Sequence, residues 1–217
     1  MASAQIAAVS YIADPGKDDL RMYWRDSSGK VICHFAALKE IADQQNRQLI
    51  FAMNGGMYME DRTPVGLYIE NGKILHPLNT KTGKGNFFIQ PNGIFYICSD
   101  RHAGVCSTQD FGKVKDVKYA TQSGPMLIKD GKINAAFDSA SHNLNIKNGV
   151  GVLPDGRVLF AMSKGKVTFY QFAKYFADKG CPNALYLDGY VSRIYLPQAG
   201  VVQIDDSRFG VLIAVMQ

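Results

Sequence analysis

Two apolar stretches of the sequence end in the same way, on a polar residue followed by glycine. Asn54 ends the stretch FAMNGG, where Gly55 and Gly56 follow it, and Asp188 ends ALYLDG before Gly189. A polar residue at the end of a buried strand places its side chain at the sheet edge, and the glycines leave room for a ligand to approach the backbone. For either motif alone, an ordinary turn with a local cap is the alternative interpretation.

Two further interruptions of apolar runs also carry polar groups. In YATQSGPMLI, Ser123 and Gly124 could offer a hydroxyl and backbone N–H groups to an oxyanion, and in NIKNGVGVL, Lys147 precedes the start of a strand. A plain turn and a solvated lysine are the alternatives. Together the four interruptions would supply a carboxylate, an ammonium, hydroxyls and an amide, which suits binding and acid–base cleavage of a phosphorylated polar ligand. We therefore expect them to converge on one pocket.

Other kinds of chemistry have less support. Ser123 does not lie in a nucleophile elbow of the G-x-S-x-G type. The four histidines lack metal-ligand spacing, and no P-loop or dinucleotide-binding glycine motif is present, so we expect neither a metal nor a cofactor. Cys98 and Cys106 flank a short polar segment that could close a disulfide loop in an oxidising compartment, and reduced cysteines are the open alternative.

Composition limits the class of protein. The chain has 217 residues, of which 47% are hydrophobic, and no linker-like stretch, which predicts a single domain over residues 1–217. The net charge of +5 comes from scattered lysines and arginines, which favours an anionic ligand over nucleic acid. The apolar stretches are strand-length, so we expect no membrane insertion. The first residues lack the pattern of a signal peptide, which indicates either a cytosolic protein or a trimmed signal.

The hydrophobic pattern predicts a mixed α/β or α+β fold, a largely antiparallel sheet with two main helices. Strands are expected near 6–12, 20–24, 31–35 and 49–53, and helices at 36–46 and 168–179. Hairpin turns are predicted at four dipeptides, Asn71-Gly72, Asn92-Gly93, Asp130-Gly131 and Asp155-Gly156, because Asn-Gly and Asp-Gly readily adopt the positive φ of tight primed turns.

The motifs, in this order and spacing, resemble the phosphodiester glycosidase family. They are NGGM at 54–57, PVGLY at 64–68, GNFFIQPNGIF at 85–95, QSGP at 122–125, NIKNGVG at 145–151 and LDGYVSRIYLP at 187–197. The resemblance runs from about Tyr11 to the C-terminus. The family includes the lysosomal uncovering enzyme, which removes N-acetylglucosamine from a mannose 6-phosphodiester, and many exported bacterial proteins.

The family's turns are matched residue by residue. Its N-G-G, S-G-P and D-G-G-x-S turns correspond to Asn54, Gly55 and Gly56, to Ser123 and Gly124, and to Asp188, Gly189 and Ser192. In its R-T-A-x-G segment, Lys147 stands for the arginine and Gly151 for the last glycine. Asn145 occupies the position of a common histidine, and Tyr190 replaces the second glycine of the last turn. An ammonium lacks the bidentate geometry of a guanidinium, so these departures put the uncovering enzyme's own substrate in doubt.

The resemblance implies hydrolysis of a glycosyl phosphate or phosphodiester at the anomeric C1–O bond, without a cofactor, in the periplasm or outside the cell. We expect Asp188 to be the catalytic carboxylate, with Asn54 and Ser192 holding sugar hydroxyls or orienting it. Lys147 and Arg193 would neutralise the phosphate, and Gly55, Gly56 and Ser123 would bond to it. Glu60 or Asp61 is the candidate second carboxylate. A non-catalytic binding module for anionic cell-envelope glycans is the alternative.

Overall fold

Strands dominate the molecule. The computed structural model describes residues 6–188, 191–204 and 207–217, which contain sixteen strands and two α-helices. The strands form three sheets, and all the strand pairs in them are antiparallel.

The first sheet has six strands. These are β1 (Ala8–Ala13), β9 (Met126–Lys129), β10 (Lys132–Ile133), β11 (Asn148–Val152), β12 (Val158–Ser163) and β13 (Asn183–Asp188). Their order across the sheet is β1-β12-β11-β13-β9-β10. Because β11 and β13 are antiparallel neighbours with Asn148 opposite Asp188, the start of one strand and the end of the other lie side by side.

The other two sheets have five strands each. The second sheet contains β2 (Asp19–Tyr23), β3 (Leu49–Asn54), β14 (Ile194–Leu196), β15 (Val201–Val202) and β16 (Leu212–Met216), in the order β15-β14-β3-β16-β2. The third contains β4 (Tyr68–Glu70), β5 (Lys73–His76), β6 (Gly93–Cys98), β7 (Ala103–Ser107) and β8 (Val117–Ser123), in the order β5-β4-β8-β6-β7.

The main core lies where the three sheets face one another. Phe160 of the first sheet packs against Phe51 of the second, with ring centroids 5.0 Å apart, and against Phe95 of the third at 5.7 Å. All three rings are fully buried. Burial of aromatic side chains of this size is a large part of what stabilises such a core.

The two α-helices cover the outer faces of two sheets. Helix α2 (Phe169–Asp178) begins with a capping box in which Thr168 and Gln171 bond to each other's backbone N–H, and its apolar face packs on the first sheet. Helix α1 (Phe35–Gln44) packs on the second sheet. Three short 3-10 turns occur at Asn86–Phe88, Phe111–Lys113 and Pro197–Ala199. None of the helices among the described residues has the length and apolar character needed to cross a bilayer.

The predicted fold, a mixed and largely antiparallel sheet protein with two main helices in a single domain, is confirmed. One predicted strand, at 31–35, is wrong. Val31 makes only an isolated bridge with Arg25, and Cys33 has a φ of 66°, which no strand tolerates. His34 then caps α1 by accepting a hydrogen bond from the backbone N–H of Ala37, so the segment leads into a helix.

Three of the four predicted hairpins are present, and the fourth is wrong. Turns at Asn71-Gly72, Asp130-Gly131 and Asp155-Gly156 join β4 to β5, β9 to β10 and β11 to β12. Asn92-Gly93 is not a hairpin turn, because Gly93 is the first residue of β6 and pairs with strands on both sides. A Cβ there would lie 2.7 Å from the carbonyl oxygen of Cys106, so this glycine permits close packing between strands.

The open question about cysteines has a clear answer, since all four are free thiols. On the β6–β7 hairpin, Cys98 bonds to His102, whereas Cys106 lies opposite Ile94. The two cysteines are thus four residue pairs apart, about 13 Å along the strands. That separation is beyond the reach of a disulfide bond.

Candidate active site

Asn54 and Asp188 end strands of different sheets, yet their side chains meet. Asn54 is the last residue of β3 and is fully buried, and Asp188 is the last residue of β13 with 7% of its surface exposed. The Nδ2 of Asn54 donates to Oδ2 of Asp188 across 3.5 Å, which is a long hydrogen bond. The first and second sheets therefore converge at a carboxylate.

Asn148 joins these two residues. Its Nδ2 donates at 2.9 Å to both the backbone oxygen and Oδ1 of Asn54, and its Oδ1 accepts from the backbone N–H of Asp188 at 2.9 Å. The backbone N–H of Arg193 also donates to Oδ1 of Asn54, at 2.9 Å. Because Asn54 Oδ1 already accepts two hydrogen bonds, the Asn54 amide must present its NH2 group to Asp188.

Two serine hydroxyls hold the backbone around Asp188. Ser192 Oγ donates to the carbonyl oxygen of Asp188, and Ser123 Oγ, from the end of β8, donates to that of Leu187, each at 2.8 Å. Both serines are buried. Their hydroxyl protons are therefore committed to the protein's own backbone, and the third sheet is tied to the strand that carries the carboxylate.

Lys147 is buried, so it is not the solvated lysine of the alternative interpretation. Only 1% of its surface is exposed, and its backbone N–H donates to Ser163 Oγ at 3.0 Å. Its Nζ lies 4.1 Å from the ring centroid of Phe169 and 5.6 Å from that of Tyr186, which are cation–π distances. Burial lowers the pKa of this ammonium from its ordinary value of 10.5 to about 8. Within the described part of the chain, no carboxylate forms an ion pair with it.

Asp188 opens into a cleft with a volume of about 390 Å³, a size typical of small-molecule sites. The described residues that line it are mainly apolar or aromatic, namely Met57, Tyr58, Val65, Phe87 and Phe88, with Lys84, Gly85, Asn86 and Asp188. Among them Asp188 is the only carboxylate. We refer to this space as the Asp188 cleft.

Two tyrosine hydroxyls lie within the electrostatic reach of Asp188. Burial raises the pKa of Tyr58, and the negative charge of Asp188 raises it further. The same two causes, in the same order, raise the pKa of Tyr186. Both phenols therefore stay protonated at neutral pH and remain hydrogen-bond donors near the carboxylate.

The glycines after Asn54 are required by the protein's own packing. A Cβ on Gly55 would lie 2.6 Å from the side chain of Ile213, and the Gly55 N–H already bonds to the backbone oxygen of Val211, just before β16. Gly56 has a φ of 154°, and a Cβ there would lie 2.7 Å from Thr121 Oγ1. These contacts explain the Asn-Gly-Gly sequence without a ligand lying against it.

The remaining candidate site residues are three glycines, Gly124, Gly151 and Gly189. A Cβ on Gly124 would lie 2.6 Å from the backbone oxygen of Phe87, so this glycine brings β8 close to the turn that lines the Asp188 cleft. Gly151 lies further along β11, where a Cβ would meet Cys181 Sγ at 2.7 Å, and it serves the packing of α2. Gly189 lies outside the described residues.

Neither proposed second carboxylate lines the Asp188 cleft. Glu60 is exposed in the loop after β3. The carboxylate of Asp61 accepts hydrogen bonds from the backbone N–H and Oγ1 of Thr63, at 2.9 and 2.8 Å, and so serves the loop. In the residues that the structure describes, no three histidine, cysteine or acidic side chains are grouped in a way that could hold a metal ion.

Sequence reasoning missed four features of the site: Asn148, the two tyrosines and the turn Asn86–Phe88. Asn148 directly follows Lys147, and the turn lies in the GNFFIQPNGIF segment, so motif resemblance pointed to both places without assigning roles. Tyr186 precedes Asp188 by two residues on β13. Since side chains alternate along a strand, this spacing was the available signal that both face the same side.

A family model and a relative from Escherichia coli match most of the chain. The family model for phosphodiester glycosidase matches residues 47–205. Uncharacterized protein YigE from Escherichia coli K12 is 37% identical over 207 residues, which is 95% of this chain and 80% of that protein.

Solved structures share the fold at low sequence identity. The catalytic domain of zebrafish N-acetylglucosamine-1-phosphodiester alpha-N-acetylglucosaminidase, auto-inhibited by its pro-peptide, superposes with a TM-score of 0.63 at 16% identity, over 99% of this chain and 84% of that chain. A candidate exported protein from Burkholderia pseudomallei has a TM-score of 0.60 at 9% identity, over 96% and 73%. The chain therefore belongs to the phosphodiester glycosidase family.

Proposed function

We propose that this protein hydrolyses a glycosyl phosphodiester at the anomeric C1–O bond and releases a free, N-acetylglucosamine-like sugar and a phosphomonoester. The observation that carries the proposal is the position of Asp188 in the Asp188 cleft. Its backbone N–H and one carboxylate oxygen are held by Asn148 and Asn54, so the group is oriented before a substrate arrives.

The lining of the Asp188 cleft supports a sugar as the group bound there. Tyr58, Phe87 and Phe88 offer ring surfaces on which the C–H face of a pyranose can pack, and the same apolar surface suits an acetyl methyl group. Asn86 and the Tyr58 hydroxyl supply donors for sugar oxygens. Lys84 is an exposed residue of the cleft lining.

In the reaction we propose, the C1–O bond to phosphate breaks as water oxygen becomes bonded to C1. Asp188 acts either as the base that takes the water proton or as the nucleophile at the oxocarbenium-like carbon. The departing phosphomonoester is a weak base, so its departure needs little help from a general acid. This fits the absence of a second carboxylate from the described lining of the Asp188 cleft, with protonated Tyr58 and Tyr186 as nearby donors.

In this proposal two positively charged residues recognise the phosphate, one by direct contact and one by its electrostatic potential. Arg193, whose side chain is partly exposed, would contact the phosphate directly. Lys147 lies on two aromatic rings behind the site, so it would act through its electrostatic potential. Ser192, Ser123, Gly55 and Gly56 would keep the backbone in place.

The test compares Asp188→Asn with Asp61→Asn, which also neutralises a carboxylate but in a loop that does not line the Asp188 cleft. The substrate is the methyl phosphodiester of N-acetylglucosamine 1-phosphate. We expect Asp188→Asn to lower kcat at least about 100-fold and Asp61→Asn to change it little. In water labelled with oxygen-18, the label should appear in the sugar. A loss below tenfold in folded Asp188→Asn protein, or label in the phosphate, would contradict the proposal.

A second candidate is a non-catalytic binding module for anionic cell-envelope glycans. The observation that favours it is that Asp188 is the only carboxylate in the described lining of the Asp188 cleft, since glycosidases usually use a pair. Calorimetry with the same phosphodiester, paired with product analysis, separates the two functions. Saturable binding without released sugar would establish the module. We place either activity in the periplasm or outside the cell, which the exported structural neighbour supports.

A further inference from the structure

A second groove lies beside Ser192 and Arg193. It has a volume of about 250 Å³ and lies at the open edge between the first and second sheets. Its apolar side chains are Val9, Ile146, Met162 and Val201, and the polar residues Ser163, Lys164, Ser192, Arg193 and Gln203 also line it. We call it the apolar groove.

The apolar groove and the Asp188 cleft are separated by one layer of chain. Ser192 lines the groove, and its Oγ donates to the carbonyl oxygen of Asp188 at 2.8 Å, while Asp188 itself lines the cleft. The same Oγ lies 3.4 Å from the carbonyl oxygen of Ile146, which forms a groove wall. Ser192 is therefore the described residue that joins the two spaces.

The groove is lined by both positively charged and apolar side chains. Arg193, next to Ser192, is partly exposed and Lys164 is exposed, so two cations line the same groove as the apolar side chains. The apolar walls reach the surface at Ile146, which is 38% exposed. An exposed apolar surface beside a cationic one fits an amphiphile with an anionic head.

We propose that the apolar groove binds the aglycone of the substrate and that this aglycone is a hydrocarbon chain. This inference rests on the proposed function and specifies its substrate class: a sugar joined by a phosphodiester to a long-chain alcohol. Hydrolysis gives the free sugar and the lipid phosphomonoester, as water oxygen bonds to C1, one water proton passes to solvent, and the phosphate keeps the ester oxygen.

The apolar walls argue against a second sugar as the aglycone. A pyranose carries several hydroxyl groups, and each one buried against Val9, Met162 or Val201 would lose its hydrogen bonds to water without gaining a partner. A hydrocarbon chain has no such cost, and it gains affinity with each methylene group that it buries.

The first experiment measures KM for N-acetylglucosamine 1-phosphodiesters with methyl, butyl, hexyl and decyl aglycones, all below their micelle concentrations. From butyl onward, each additional pair of methylene groups should lower KM roughly three- to tenfold until the groove is full, while kcat changes little. A glycerol aglycone should bind no better than methyl. Equal KM values along the alkyl series would overturn the inference and leave the hydrolase proposal intact.

Substitutions in the groove test whether the hydrocarbon chain binds there. Ile146→Ser and Val201→Ser should raise KM for the decyl substrate about tenfold or more and leave the methyl substrate unchanged. Ile74→Ser is the matched control, because Ile74 is 66% exposed on β5 in the third sheet and does not line the groove. If Ile74→Ser raises KM for the decyl substrate as much as the groove variants do, the chain binds elsewhere and the inference fails.

A binding measurement separates this inference from the proposed function. Decyl phosphate and methyl phosphate are titrated into the whole protein by calorimetry, with wild type and Ile146→Ser. We expect decyl phosphate to bind at least about tenfold more tightly, and Ile146→Ser to remove most of that difference. If no phosphodiester is cleaved but this pattern is seen, the groove stands and the hydrolase proposal falls. If the two phosphates bind alike, the hydrocarbon assignment falls.

Discussion

At the scale of single residues, Asn148 has a position that only an amide can fill. Its Nδ2 donates to Asn54 and its Oδ1 accepts from the backbone of Asp188, so one side chain sets the geometry of both neighbours. A carboxylate of the same shape could accept the second hydrogen bond but could not donate the first. Asn148 is thus a positioning residue for Asp188.

We expect Asn148→Asp to change the pH dependence of hydrolysis. A second negative charge beside Asp188 opposes its ionisation, which raises the pKa of Asp188 and moves the acidic limb of the kcat/KM profile upward by about one to two pH units. The profile should be measured on the methyl phosphodiester. Asn143→Asp, on an exposed loop, is the control and should leave the profile in place. An unshifted acidic limb for folded Asn148→Asp protein would contradict the positioning role.

Lys147 is the residue for which we expect stability and function to conflict. Its pKa is about 8 in the folded protein and ordinarily 10.5, so the folded state disfavours the charge. Below pH 8 both states are charged and this cost is complete, on the order of 3 kcal/mol. From pH 8 to 10.5 the unfolded chain binds the proton that the folded chain has lost, so the contribution of Lys147 to stability rises with pH.

The prediction is that Lys147→Met unfolds at higher denaturant concentration than wild type at pH 7, and that this advantage shrinks as pH rises toward 10.5. Tyrosines and cysteines also titrate in this pH range. Their contribution to stability is the same in both proteins, so it cancels when the two are compared. The variant should also show a raised KM for the phosphodiester, because the positive potential is gone. An advantage that is constant with pH would show that Lys147 is not a buried charge.

At the scale of elements, the sequence signals that succeeded were local. The capping pattern at Thr168, the apolar stripe of α2 and the polar ends of β3 and β13 can each be read within about ten residues. The signals that failed depended on tertiary contacts. Gly93 is explained by a strand from elsewhere in the chain, and Asn148 by a partner 94 residues away. No local pattern carries that information.

We expect the capping box of α2 to contribute measurably to the stability of the protein. Thr168→Ala removes the hydroxyl that accepts the N–H of Gln171 at 3.1 Å, and should lower the free energy of unfolding by about 1 kcal/mol. Urea denaturation measures this cost, and Thr80→Ala, at an exposed position, should cost far less. Because α2 begins at Phe169, which lies under the Lys147 ammonium, fraying should also raise KM modestly. Equal costs for the two variants would show that the cap contributes nothing.

At the scale of the whole molecule, the candidate site lies where all three sheets meet. Asp188 and Asn148 come from the first sheet, Asn54 from the second and Ser123 from the third. The carboxylate is therefore oriented only when the sheets are packed together, and any opening between them should also disturb its geometry.

Ser123 tests this coupling. Its hydroxyl, on the third sheet, donates a hydrogen bond to the carbonyl oxygen of Leu187, the residue before Asp188. Ser123→Ala leaves the buried carbonyl oxygen of Leu187 without that donor, which should cost about 1 to 3 kcal/mol of stability and lower kcat for the phosphodiester more than it changes KM. Ser99→Ala is the control, since that hydroxyl also donates to a backbone carbonyl, that of Asp116 just before β8, but is exposed, and it should cost under about 0.5 kcal/mol. Thermal unfolding and steady-state kinetics on both variants measure the two effects. If Ser123→Ala lowers stability and leaves kcat unchanged, the sheets are joined there for folding alone and the position of Asp188 does not depend on their contact.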